Sequence, residues 1–151
     1  MWRGTFRPPC YDPRLRIVIG ISGASGVIYG MRLLERLRAQ PSVEIHLILT
    51  RSAEKTLYLE TGQTCVEARK LAHFCYPLED IGARLASGSF RTDAMVIAPC
   101  SIRTMSAIAA GISDNLLVRA ADIVWMEQGA TTIASVRKEP LARRAPMSSF
   151  G

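Results

Sequence analysis

The stretch Ile17-Val-Ile-Gly-Ile-Ser-Gly-Ala-Ser-Gly26 decides how this chain is read. Its apolar first half suits a strand covered on both faces, and it runs straight into a glycine-rich turn. Beyond the turn, Val27, Met31 and Leu34 recur at helical spacing, while Arg32, Glu35, Arg36 and Arg38 fall largely elsewhere. Val27 to Ala39 therefore reads as an amphipathic helix. Strand, turn and helix start together make an anion cradle: the first amides of a helix lack intrahelical partners, and the helix dipole adds partial positive charge. Gly20, Gly23 and Gly26 permit a tight turn and a close approach, and Ser22 and Ser25 add hydroxyls. The spacing is G-x-x-G-x-x-G. It matches neither the dinucleotide fingerprint nor a Walker loop nor the G-x-S-x-G nucleophile elbow. A tight turn that binds nothing is the plain alternative.

Downstream, Pro41-Ser42 breaks the helix and Val43 to Leu49 reads as a second strand. His46 is expected in a helix–sheet contact. Thr50-Arg51-Ser52 falls at that strand's carboxyl end, where open parallel sheets bind ligands. Ala53 to Glu60 reads as a helix ending near Gly62, and Val66 to Phe74 as another, stopped by Tyr76-Pro77. Glu79-Asp80 is expected to cap a short helix through Leu85. His73 and Cys75 read as packing or surface residues. After a polar loop, Ser87 to Thr92, the run Ala94 to Ala98 has the look of a central strand. Pro99-Cys-Ser-Ile-Arg-Thr104 then repeats the earlier design of strand end, hydroxyl-rich loop and helix start. That helix closes at Gly111, a suitable C-terminal cap. Cys100 reads as a packed thiol, since no histidine is near it in sequence to activate it. Asp114 or Ser113 is expected to cap a further helix carrying Leu116, Leu117, Ala120, Ala121 and Val124 on its apolar side. Arg119 interrupts that side, either on a solvated edge or reaching an anion in a cleft. Thr131 to Val136 reads as the next strand.

The alternation implies an α/β sandwich with a parallel sheet and right-handed crossovers. Hydroxyl-bearing loops after residues 21, 49 and 98 would then share one carboxyl edge. An oxygen-rich cradle without an acidic ribose partner favours a mononucleotide such as FMN over NAD. At 151 residues and 48% apolar composition, the chain suits one domain with a real core. The expected division is a disordered basic leader over 1–15, an FMN-binding domain over 16–141 and a disordered tail over 142–151. The formal charge of +6 comes from scattered basic residues with no aromatic-interleaved stripe, which argues against a nucleic-acid partner. No apolar run is long enough to span a bilayer, so a soluble chain is expected. Cys10, Cys65, Cys75 and Cys100 form no metal-ligand spacing with His46 and His73, so no metal is expected. Free thiols suit a cytoplasmic location, or a mitochondrial one if the leader is a transit peptide.

Three segments, Gly20-Ile-Ser-Gly-Ala-Ser-Gly26, Ser87 to Ser101 and Asp114-Asn-Leu-Leu-Val-Arg-Ala-Ala-Asp122, closely resemble the UbiX-like flavin prenyltransferases. Similarity runs from about Arg16 to Asp122. The resemblance implies a Rossmann-like three-layer fold assembled as trimers or dodecamers, with FMN at subunit interfaces and no metal. It implies transfer of a dimethylallyl group from dimethylallyl phosphate to reduced FMN, the product serving a UbiD-type decarboxylase. By position, Gly23, Ala24 and Ser25 would hold the flavin phosphate region, with Ser25 also in a catalytic role. Thr50 and the run Ser101, Ile102, Arg103 and Thr104 would complete the flavin contacts. Glu60 would supply an acid near the site, and Arg119 would hold the donor phosphate.

Beyond Asp122 the pattern changes. Met126 stands where the family has a phosphate-binding lysine. Arg137 keeps a flavin-contacting arginine, while Lys138 falls on the catalytic glutamate, with Glu139 adjacent. The family's last strand and C-terminal helix are not matched, so the expected architecture lacks them. Two further readings stay open: an FMN-binding homologue without the donor site, and a flavin-dependent decarboxylase of the wider superfamily. The latter's histidine after the second strand is replaced here by Arg51-Ser-Ala-Glu54.

Overall fold

Five parallel strands form one sheet in the order β3-β2-β1-β4-β5. The computed structural model describes residues 13–128 and 131–133. In chain order the elements are β1 (Leu15–Ile21), α1 (Val27–Arg38), β2 (Val43–Leu49), α2 (Arg51–Thr61), α3 (Cys65–Leu71), β3 (Phe74–Tyr76), β4 (Ala94–Ile97), α4 (Ile102–Ala110), α5 (Leu116–Gln128) and β5 (Thr131–Ile133). A 3-10 turn covers Arg84–Ala86.

Strand alternation sorts the core into two faces. Ile19 and Ile21 of β1 join Ile45, Leu47 and Leu49 of β2 against Val27, Met31 and Leu34 of α1. On the other face, Val18, Ile48, Met95 and Ile97 meet Leu116, Leu117, Ala120, Ala121 and Val124 of α5. These side chains are almost wholly withdrawn from water, and each large one contributes about 1.5–3 kcal/mol of burial. Gly20 lets α5 settle close to β1, because a Cβ there would run into Leu117.

β1 pairs with both β2 and β4. The chain builds outward through β2 and β3, then returns to the other side of β1 to build β4 and β5. The strand order therefore reverses between β1 and β4, which opens a crevice at their carboxyl ends.

Two expectations about this frame change. The helix after Gly62 ends at Leu71, and Phe74, expected inside it, begins β3. Pairing decides this: the His73 N–H donates to the Ile45 carbonyl at 3.0 Å, and the Ile45 N–H donates to His73 Nδ1 at 3.0 Å. Those bonds start a ladder on β2 that no local pattern announces. The helix expected through Leu85 shrinks to the 3-10 turn. The expected strand Thr131 to Val136 is described only as Thr131–Ile133, and the leader, tail, Arg137, Lys138 and Glu139 lie outside the described residues.

Candidate functional site

Four helices begin at the carboxyl edge of the sheet: α1 after β1, α2 after β2, α4 after β4, and α5, which runs back to feed β5. Their starts are finished in different ways, and the differences define the site.

At the glycine turn, Gly26 is the N-cap of α1 with φ 94°, a left-handed conformation that glycine adopts without strain. Gly23 lies against Ser52 so closely that a Cβ would overlap it. The amides of Gly26 and Val27 both donate to the carboxylate of Glu60, at 3.1–3.2 Å. Glu60, near the end of α2, thus completes the first turn of α1 with a negative charge, the sign the helix dipole favours. Among the described residues, no hydrogen bond engages the amides of Gly23, Ala24 or Ser25.

The other starts are capped by their own neighbours. Thr50 Oγ1 accepts from the Ala53 amide at 3.1 Å, and its hydroxyl lies 3.1 Å from that of Ser52. Ser101 Oγ accepts from the Thr104 amide at 3.2 Å and bonds Thr104 Oγ1 at 3.0 Å. On α5 the cap is Asn115, whose Oδ1 accepts from the Val118 amide at 3.1 Å, rather than Asp114 or Ser113. Those two are engaged elsewhere: Asp114 pairs with Arg103 at 3.1 Å, and the Ser113 hydroxyl donates to Asp122 at 3.3 Å.

Ser22 ties the two turns of the crevice together. Its hydroxyl donates to the Pro99 carbonyl at 2.8 Å and accepts from the Ser101 amide at 2.6 Å, while its own amide donates to Pro99 at 3.1 Å. The sequence offered Ser22 as one more hydroxyl for an anion; the structure spends both its hydrogen-bonding directions on β4's turn. A serine that interrupts an apolar strand end was the available signal.

The predicted residues accordingly divide. Gly23, Ala24, Ser25, Thr50, Ser101 and Thr104 come from three loops that share one edge, with Glu60 behind the glycine turn. Ile102 is 64% exposed and Arg103 extends into solvent toward Asp114. Arg119 is exposed on the first turn of α5, at the same edge, with no ion pair among the described residues. Cys100 is buried and burial pushes its thiol pKa up, which disfavours a nucleophilic thiolate. Among the described residues, no cluster of three or more His, Cys, Asp and Glu side chains could hold a metal ion.

His46 belongs to a separate network on the α5 face, met by Phe74 and Tyr76 of β3 and by Phe90 before β4 rather than by a helix. Arg84 Nε donates to the Tyr76 hydroxyl at 2.8 Å, so that hydroxyl donates onward to His46 Nδ1 at 2.9 Å. His46 Nε2 then donates to Glu44 at 2.9 Å. Phe74 stacks on the imidazole and Phe90 meets it edge-on. Burial lowers the pKa of His46 despite Glu44, in keeping with the neutral tautomer these bonds require.

A sequence model of the Flavoprotein family matches residues 7–145. The flavin prenyltransferase UbiX of Neisseria meningitidis is 49% identical over 126 residues, which is 83% of this chain and 66% of that protein. A solved structure described as AnUbiX (PadA1) in complex with FMN and dimethylallyl pyrophosphate superposes with a TM-score of 0.80 at 37% identity, over 86% of this chain and 68% of that one. The dodecameric FMN-dependent UbiX-like decarboxylase of Escherichia coli O157:H7 also reaches 0.80, at 39% identity, over 85% and 69%. The chain spans about two thirds of the length of each.

Proposed function

Because this chain belongs to the Flavoprotein family and, within it, to the UbiX-like flavin prenyltransferases, we propose that it transfers a dimethylallyl group from dimethylallyl phosphate to reduced FMN. The observation that supports this most is the crevice itself. The unengaged amides of Gly23 to Ser25 stand at the β1–β4 switch point, and the hydroxyl-bearing turns after β2 and β4 flank them at the same carboxyl edge. Those groups fit a flavin phosphate.

When bound, reduced FMN supplies the ring that accepts the prenyl group. This chain's residues have the remaining work. Gly23, Ala24, Ser25 and Thr50 hold the phosphate end, and Ser101 to Thr104 present a helix start whose dipole favours the same charge. Arg119 neutralises the donor phosphate as its carbon–oxygen bond breaks, which stabilises the charge that grows on the leaving group. Ser25 would also have a catalytic role, and a carboxylate, Glu60 or Glu139, would take up the proton released as the product forms. Arg137 adds a flavin contact. The product passes to a UbiD-type decarboxylase. The working unit is a homo-oligomer, a trimer or a dodecamer, built on an FMN-binding domain over 16–141 and located in the cytoplasm. Among the described residues no helix is long and apolar enough to cross a membrane.

Flavin binding without prenyl transfer is the second reading. Met126, 75% exposed on α5, favours it by standing where the resemblance implies a cationic side chain. One experiment separates the two. The purified protein is loaded with FMN, reduced and given dimethylallyl phosphate while its absorbance is followed. A shift to the spectrum of prenylated flavin, lost in Arg119→Ala with FMN affinity intact, supports transfer. Bound flavin that never changes supports the binding-only reading, and no flavin binding overturns both.

A further inference from the structure

A cavity of about 430 Å³ opens on the far side of α2 from the glycine turn, at the carboxyl ends of β2 and β3. Its floor is apolar, formed by Leu47 and Leu49, and its rim carries Arg51 and Arg69, their acidic partners Glu79 and Glu54, and the thiol of Cys75. This volume lies within the range of small-ligand sites, which combine an apolar lining with a few convergent polar groups. None of the residues assigned above to flavin or donor lines it.

The rim arginines are only partly used. Arg69 places one nitrogen on Glu54 at 2.7 Å, and Arg51 directs both of its contacts, at 2.6 and 2.8 Å, to the same oxygen of Glu79. A guanidinium has five N–H donors, so each keeps some unspent. Both pairs are solvent-exposed, and exposed pairs are weak enough to rearrange around a ligand.

We infer that this cavity is a second binding site for a small apolar carboxylate. The acid group bonds to the unspent N–H donors of Arg69 and Arg51, and the apolar body covers Leu47 and Leu49. Burial raises the pKa of the Cys75 thiol, and the nearby Arg69 guanidinium pulls the other way. A carboxylate would take the place of Glu54 or Glu79 on these guanidiniums, whose N–H groups can hold it in a bidentate fork.

Cys75 also makes the test local. Alkylation of the full chain by iodoacetamide at mildly alkaline pH, followed peptide by peptide, is measured with and without 2-naphthoate. The expected result is at least fivefold slower modification of Cys75 with the rate at Cys65 unchanged, and loss of that protection in Arg69→Gln and in Arg51→Gln. Both side chains are exposed, and Cys75 bonds only the backbone carbonyl of Arg69, so the variants should keep the fold. No protection, or equal protection by the neutral 2-naphthamide, overturns the assignment. Protection by FMN in competition with naphthoate overturns the separateness of the site and places the cavity within the flavin crevice. Because the readout needs neither flavin nor turnover, its failure is distinguishable from failure of the prenyl-transfer reading.

Discussion

The turns after β1 and β4 stand side by side at the same crevice and solve the same problem differently. Both must end a buried strand, start a helix and leave polar groups for an anion. The β4 turn does it locally, with Ser101 and Thr104 capping α4 from within four residues. The β1 turn does it at a distance: Gly26 takes a conformation with no capping side chain, and Glu60, more than thirty residues on, supplies the negative charge. A hydroxyl-rich turn is thus self-sufficient, whereas a glycine turn borrows its cap and frees its own small residues for close approach.

The largest expected effect comes from where the two turns touch. Gly30 of α1 backs onto the Ala98 carbonyl beside Ile21. In Gly30→Val the new side chain cannot fit, and α1 must lift from β4's turn. A loss of about 3 kcal/mol or more is expected, read from urea unfolding; a stable variant would mean the turns are not locked together. Ser22→Ala removes the hydroxyl that joins them, strands the Ser101 amide and leaves the Pro99 carbonyl with the Ser22 amide alone. About 2–3 kcal/mol should be lost.

Glu60→Ala and Ser101→Ala test the contrast itself. Each removes a cap, at a cost of about 1 kcal/mol. The Glu60 effect is charge-dependent, so it should shrink as salt is raised from low to molar levels, while the Ser101 effect should not. Equal salt responses would erase the distinction drawn between the turns.

The smallest change should come from pH, and it should bypass both turns. His46 and His73 have folded pKa values lowered from 6.5, in each case chiefly by burial. Below pH 6.5 the unfolded chain binds more protons than the folded one. Stability is therefore fully present above pH 6.5 and declines as pH falls from there toward the folded values. Urea midpoints at pH 7.5 and 5.5 should show the decline, and a midpoint that holds or rises would contradict it.

Much of this was legible in order of sequence. The first three elements announced themselves through periodicity and breakers, and β2 was located residue for residue over Val43–Leu49. Gly62 and Gly111 marked helix ends correctly, both with positive φ. What escaped depended on partners. Phe74 joined a strand because His73 and Ile45 exchange bonds, although its own neighbourhood suggested a helix. Asn115 became a cap because Asp114 was drawn to Arg103 and Ser113 to Asp122. Within the candidate site, the glycines and hydroxyls were readable, but the use of Ser22 as a clamp was not.

By itself, the sequence determined the alternation of strands and helices, the glycine turn and the family, because each rests on residues adjacent in the chain or at a fixed local period. Only the tertiary structure decided which amides are already taken and which stay open to a ligand. That is a matter of which groups meet through space: Glu60 of α2 against the first amides of α1, Ser22 between two turns and Arg51 against Glu79 are all meetings between distant parts of the chain.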